Sequence, residues 1–268
     1  MTGAPKAAIT VGVEDSVATL TLVNPGRRNA LPPSVWLELA RSVEHLAMRP
    51  DVTILVITGH GDDFSTGLDL QDAGKDDADQ PQVGSDGAVA LVEAALADCP
   101  KPVIAAIGGY CIGAGMAVAL ACDLRIAAAD ASFAMTPAKI GVIYPASSIQ
   151  LLLNQVGPSI TKRMLFTAEF VDATQALRIG LVEEVVPVEE LADSALALAT
   201  VIGKRSQLTV QATKDIVRTL LSDPPAVSDR ENFWVQESLD GPDQREGLRA
   251  FSERRDPVFT WRSPSSRR

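Results

Sequence analysis

At 268 residues, 46% of them hydrophobic and 22% charged, the chain is long enough for one well-buried domain with an appendage and does not require two. A formal net charge of −10 excludes a nucleic-acid or anionic-membrane surface driven by bulk charge, so a polyanionic ligand needs a local basic patch. No apolar run reaches membrane-spanning length, and Met1-Thr2-Gly3-Ala4-Pro5-Lys6 lacks the charged and apolar regions of a secretory signal, which together predict a cytoplasmic protein without a membrane partner.

Residues 8–23 alternate apolar and polar around Glu14-Asp15-Ser16, predicting a β-hairpin that ends at Asn24-Pro25-Gly26. The loop Arg27-Arg28-Asn29-Ala30-Leu31 leads into a helix that Pro33 can begin without breaking, with Trp36, Leu39, Ala40, Val43, Leu46 and Ala47 at helical spacing through Met48. His45 borders that stripe. Residues 52–59 read as a strand, followed by a polar loop with a solvent-facing His60 and then by Phe64-Ser65-Thr66-Gly67-Leu68-Asp69-Leu70. Residues 71–87 are rich in Asp, Gly, Gln and Ser and predict a mobile acidic loop, either an ordinary surface loop or a lid over a pocket. A helix at 88–97 closes at Cys99-Pro100-Lys101-Pro102.

The next stretch organises the rest. Val103 to Ile107 is an apolar run with the length of a strand enclosed on both faces, broken by Gly108-Gly109. A turn follows, and Gly113-Ala114-Gly115 opens into a small-residue helix through Cys122. A helix start leaves backbone N–H groups unpaired at the positive end of the dipole, where an oxyanion can rest. Tight packing alone accounts equally well for these glycines. The strand and glycine turn at 52–70 supply a second such unit about 45 residues away, so two N–H groups can converge on one point, the minimum oxyanion hole.

Residues 123–128 read as another buried strand and 131–135 as a short extended run. The alternation of strand and helix from 52 onward predicts an α/β protein with a parallel sheet and a ligand site at the strands' C-terminal ends. From Ala146 the chain reads as helices near 146–156, 159–167, 188–203, 206–221, 225–239 and 243–254, interrupted by one strand-like run at 181–186. Cys99, Cys111 and Cys122 are odd in number without CxxC spacing and read as reduced, buried thiols, and no metal site is expected.

Taken together, Pro25-Gly26-Arg27-Arg28-Asn29-Ala30-Leu31, Ile57-Thr58-Gly59, Phe64 to Leu70, Lys101 to Ile107, Gly113-Ala114-Gly115, Cys122-Asp123-Leu124-Arg125 and Ala250-Phe251-Ser252-Glu253-Arg254-Arg255 resemble the crotonase superfamily, the enoyl-CoA hydratase/isomerase fold. The match is ordered and spans roughly residues 8–259. The resemblance implies a ClpP/crotonase-like spiral of ββα units over 1–200, a helical C-terminal trimerisation region over 201–261, a disordered tail over 262–268, and trimers often paired into hexamers. It implies an acyl-CoA ligand, and no separate cofactor, with the thioester oxygen held by the Leu68 and Ala114 N–H groups. The family usually has Gly at the second position, and an alanine serves if its backbone geometry tolerates a β-carbon. Arg28 falls where the family places a basic residue near the CoA phosphates, and Ala30, Leu68 and Leu70 would contact pantetheine or adenine. Arg254 or Arg255 of a neighbouring subunit would meet the 3′-phosphate.

The pattern departs from a hydratase where the family carries two glutamates that shuttle a water's protons. Along the matched motifs these positions are Ala117 and Pro137, neither of which transfers a proton; Asp69 reads more simply as a helix-start cap. The segment Phe133 to Tyr144 looks most like the methylmalonyl-CoA decarboxylase branch, which has a similar Met-Thr-Pro segment and a tyrosine at the position of Tyr144, but carries a histidine where Leu68 stands. Three readings follow: decarboxylation or C–C cleavage through a thioester enolate with Tyr144 as the polar group, a non-catalytic acyl-CoA carrier, and hydration, hydrolysis or isomerisation with another acid or base. Tyr144 as a mere pocket wall is the alternative to its catalytic role.

Overall fold

The computed structural model describes residues 6–69 and 85–262. In chain order its strands and helices are β1 (Ala8–Glu14), β2 (Val17–Val23), α1 (Pro33–Met48), β3 (Ile54–Gly59), α2 (Ser85–Asp98), β4 (Val103–Ile107), β5 (Tyr110–Ile112), α3 (Ala114–Ala121), β6 (Leu124–Ala128), β7 (Ser132–Ala134), α4 (Pro137–Ile140), α5 (Ala146–Thr167), β8 (Val171–Asp172), α6 (Ala173–Arg178), β9 (Glu184–Val186), α7 (Leu191–Gly203), α8 (Gln207–Ser222), α9 (Val227–Asp240) and α10 (Asp243–Glu253). Short 3-10 turns precede α7 and α9.

A six-stranded sheet has the order β1-β2-β3-β4-β6-β9, antiparallel at the β1/β2 hairpin and parallel from β2 onward. Asp15 and Ser16 join the hairpin strands with φ of 45° and 66°, the left-handed pair that a two-residue turn between twisted strands requires. Alternation explains why the inner strands look continuously apolar. In β3, Leu55 and Ile57 face a core shared with α1, α2 and α3, whereas Ile54 and Val56 face Ala195 and Ala199 of α7 on the other side. Both faces of the inner strands β3 and β4 are covered, which favours apolar residues on each.

A second, three-stranded sheet, β5-β7-β8, stands apart from the first, with β5 and β7 parallel. The sequence suggested only a turn at 110–112, because three residues between glycines carry no readable period. Other boundaries move as well. α2 begins at Ser85 and α3 at Ala114, while β8, α4 and α6 are too short for a periodic signal. Residues 146–167 form α5 across a break at Gly157 (φ 75°, ψ 171°), which accommodates Pro158 without a clash in the preceding turn. The expected acidic loop lies outside the described residues up to residue 84, as does the tail beyond residue 262. All three cysteines are free and buried, and burial pushes the Cys122 thiol up to about 12. Among the described residues no helix is long and apolar enough to cross a membrane.

The C-terminal helices α8 and α9 have a small apolar cluster of their own, Leu208, Ala212, Trp234 and Trp261. Their tie to the sheet is polar: Lys214 Nζ of α8 donates to the Lys101 carbonyl at 2.9 Å and to Asp123 Oδ2 at 2.8 Å, and Asp123 Oδ2 also accepts from the Val103 amide at the start of β4 at 2.7 Å. Lys214→Met keeps the stem and removes the charge, leaving the part-buried Asp123 carboxylate with the Val103 amide but no cation, and taking a donor from the Lys101 carbonyl. We expect a loss of about 2 kcal/mol, read as a lower urea midpoint with an unchanged slope; an unchanged midpoint would show that the apolar cluster alone holds α8 in place.

Candidate active site

The site forms where the loop after β3, the loop before α1 and the start of α3 meet. Asn29 fastens the first two. Its side chain accepts from the Asn24 amide at 3.0 Å and donates to the His60 and Asp63 carbonyls at 3.0 and 2.7 Å, and its own carbonyl accepts from Ser65 Oγ at 2.7 Å. Asn29 is buried in the left-handed conformation (φ 54°), which asparagine tolerates well because its short amide bonds locally.

Gly67 sets the distance to α3. Its φ is 92°, and a β-carbon there would lie 2.9 Å from both the Ala114 nitrogen and the Ile112 oxygen. A β-carbon on Gly115 would in turn lie 2.6 Å from the Ser65 oxygen. The two backbones therefore approach so closely that no side chain fits between them.

Two amides here have no backbone acceptor among the described residues. Leu31 N–H donates to the Gly67 carbonyl at 2.8 Å and Asp69 N–H donates to the Leu31 carbonyl at 3.0 Å, so the intervening Leu68 N–H points away from Leu31, as a parallel bridge demands. Ala114 is the first residue of α3, behind Gly113 with φ 60° and ψ −120° and no side-chain cap, so helix geometry gives its N–H no intrahelical acceptor. Ala114 has helical backbone geometry and is absent from the positive-φ positions, which resolves the question its β-carbon raised. Removing one such donor from an oxyanion hole costs ~2.7–4 kcal/mol of transition-state stabilisation.

Tyr144 joins them. A β-carbon on Gly113 would lie 3.4 Å from its hydroxyl oxygen, so the phenol stands against the residue that opens α3, with its ring packed on the main core. The structure thus gathers Leu68, Ala114 and Tyr144. Ala117 is buried one turn into α3 and Pro137 is buried at the first position of α4, and neither offers a proton. Asp69, read as a helix-start cap, is followed by residues outside the described ones; its carboxylate lies 3.6 Å from Arg27 and lines a cavity of about 270 Å³ shared with Asn24, Arg27 and Ser34, none of which belongs to the Leu68 and Ala114 pair.

Arg28 is exposed and left-handed (φ 49°), with its guanidinium 4.5 Å above the Tyr110 ring and 3.8 Å from Asp63. Tyr110 meets Phe170 edge-on at 6.0 Å, and Lys139 Nζ lies 5.1 Å from the Phe170 ring. Two cations therefore flank a pair of rings beside the site, a local basic patch in an acidic chain; the sequence offered no signal for Lys139 because its ring partner is 31 residues away. Ala30 is half-buried in the same loop, and Leu70 lies outside the described residues. Arg254 caps the C-terminus of α10 in the left-handed conformation and is exposed, without an ion pair among the described residues, while Arg255 is held by Glu246 and Glu253 at 2.6 and 2.7 Å. Sequence reasoning missed one buried carboxylate, Glu93 of α2, whose signal was a charge set among Val89, Val92 and Leu96 on the apolar face of a helix.

Comparison with known proteins gives a consistent answer. A family profile described as enoyl-CoA hydratase/isomerase matches residues 12–262. The chain is 35% identical to the (E)-benzylidenesuccinyl-CoA hydratase of Thauera aromatica over 94% of this chain and 98% of that one. It is 33% identical to the carnitinyl-CoA dehydratase of Citrobacter koseri over 92% of this chain and 95% of that one. A solved structure of an enoyl-CoA hydratase/isomerase family member superposes with a TM-score of 0.90 at 32% identity, covering 97% of this chain and 99% of that one.

Gly67→Ala tests the close approach. Gly141→Ala is the control, since Gly141 is left-handed (φ 70°, ψ 28°) but its β-carbon would meet nothing within 4 Å. Both variants carry the left-handed penalty of roughly 1–2 kcal/mol, and we expect Gly67→Ala to lose at least about 2 kcal/mol more, read from urea unfolding. Equal losses would mean the loop can retreat from Ala114.

Proposed function

This chain belongs to the enoyl-CoA hydratase/isomerase family, and from that premise we propose that it processes an acyl-CoA through a thioester enolate held by the Leu68 and Ala114 N–H groups. The observation that carries the reading is the convergence of two uncommitted amides across a gap that only Gly67 permits. An enolate oxygen is more basic than the carbonyl it comes from, so donors fixed in advance stabilise the transition state more than the ground state. The chemistry proposed is decarboxylation or C–C cleavage. When a carboxylate on the α-carbon leaves as CO₂, the electron pair of the broken C–C bond enters the enolate, and the Tyr144 hydroxyl returns a proton to the α-carbon and is itself reprotonated from solvent. No carboxylate at 117 or 137 is needed for that sequence. Arg28 and Lys139 would meet the CoA phosphates, with Ala30, Leu68 and Leu70 along the pantetheine and adenine, and Arg254 would reach the 3′-phosphate from a neighbouring copy in a trimer or hexamer.

A second reading, hydration or isomerisation, is favoured by the hydratase and dehydratase relatives, and it needs a proton-transfer group that 117 and 137 do not supply. A carrier that binds without turnover is the third. Incubation with crotonyl-CoA, methylmalonyl-CoA and long-chain acyl-CoAs, with product analysis beside calorimetry, separates them. We expect CO₂ release from methylmalonyl-CoA, and Tyr144→Phe to lower turnover about 100-fold or more while acyl-CoA binding persists. Unchanged turnover removes Tyr144 from the mechanism, and tight binding without product for every thioester establishes the carrier.

A further inference from the structure

α2 turns Val89, Val92, Glu93 and Leu96 inward, the i, i+3, i+4, i+7 face of a helix, so a carboxylate occupies a core position. Glu93 is 5% exposed, and Ser148, its partner from the first turn of α5, is 3% exposed. Ser148 Oγ donates to Glu93 Oε1, while Oε2 is buried with no hydrogen-bond partner among the described residues. A buried carboxylate costs several kcal/mol unless its lone pairs are satisfied, so a purely structural link would use a neutral residue or complete the set.

Its place in the fold connects it to the site. α2 packs on α3, whose first residue supplies the Ala114 donor and whose first turn carries Ala117. α5 packs on both helices, and Ser148 lies four residues beyond Tyr144, whose hydroxyl stands against Gly113. Val92, Leu96, Met116, Ala117 and Leu152 belong to one continuous apolar cluster, against which Tyr144 packs. The unsatisfied oxygen therefore sits among three helices that share a wall with the oxyanion donors.

We propose that Glu93, oriented by Ser148, is the proton-transfer group of this pocket, supplying the carboxylate that 117 and 137 lack. This rests on the reading of the pocket as a thioester site. Oε2 takes a proton from the α- or γ-carbon of an acyl thioester: the C–H bond breaks, an O–H bond forms on Glu93, and the electron pair enters the enolate, whose oxygen is held by Leu68 and Ala114. The proton on Glu93 exchanges with solvent, and return of a proton from Glu93 to the same carbon or to the far end of a β,γ-unsaturated acyl chain restores the carboxylate. No further reactant is consumed. The substrate class is then an enolisable acyl-CoA, and the reaction class is allylic isomerisation or a proton transfer that begins like it.

The test is deuterium incorporation at the α-carbon of butyryl-CoA, followed by proton NMR, with calorimetry of butyryl-CoA binding on the same preparations. We expect the native protein to catalyse exchange. Glu93→Gln keeps the shape and the acceptor for Ser148, and should lower the rate about 100-fold or more with binding and melting temperature unchanged. Ser148→Ala leaves the carboxylate in place without its orienting donor and should give a smaller loss, again with binding unchanged. Undiminished exchange in Glu93→Gln overturns the proposal. Butyryl-CoA bound by the native protein without any exchange also overturns it, yet leaves the thioester site standing. Absence of butyryl-CoA binding removes the thioester site itself, and the role of Glu93 with it.

Discussion

The contact between Gly67 and the first amide of α3 is the constraint on which the site depends. A β-carbon would stand 2.9 Å from two backbone atoms that have no freedom to retreat, since Ile112 is in β5 and Ala114 opens a buried helix. Hydrogen bonds can bring two loops near each other, but only the absence of a side chain lets their backbones touch, and a two-donor hole needs its donors that close. Elsewhere the same economy recurs at Gly115 against Ser65. The polar residue that complements these glycines is Asn29, which spends its whole amide on four backbone groups, those of Asn24, His60, Asp63 and Phe64.

The remainder of the fold serves to keep those loops stiff. A parallel sheet covered on both faces presents its strand ends at one level, so the segments leaving β3 and β4 emerge side by side. The small second sheet continues this: β5 pairs with β7, Ser65 bridges to Cys111, and Gly113 N–H donates to the Ala134 carbonyl at 3.0 Å. The last of these uses the amide next to Ala114 and leaves the Ala114 N–H itself uncommitted. Donors fixed in advance do not have to be reorganised when charge develops.

The side chains beside this geometry differ in their chemistry. Ala117 and Pro137 carry no titratable group, while the Tyr144 phenol stands against Gly113 at the start of α3 and Glu93 of α2 lies buried against Ser148 of α5. On the reading proposed above, the frame stabilises an enolate and the side chains around it select what happens to the proton. Two relatives are named as a hydratase and a dehydratase of CoA compounds.

Much of the backbone logic could be read from the residues alone. Pro33 and the stripe from Trp36 to Ala47 define α1, the run Val103–Ile107 defines the central strand, and the ordered glycine motifs identify the family, because propensity, period and turn chemistry are local properties. Three features were decided only by the tertiary structure. Glu93 and Ser148 are 55 residues apart and Arg28 and Tyr110 are 82 apart, so nothing local marks either pair. Asp69 lies beside Arg27, 42 residues earlier in the chain. The strand at 110–112 exists only because β7 arrives beside it. A sequence determines which groups a chain carries and how each segment prefers to bend; which groups meet depends on how distant segments exclude water together, and that is a property of the packed whole.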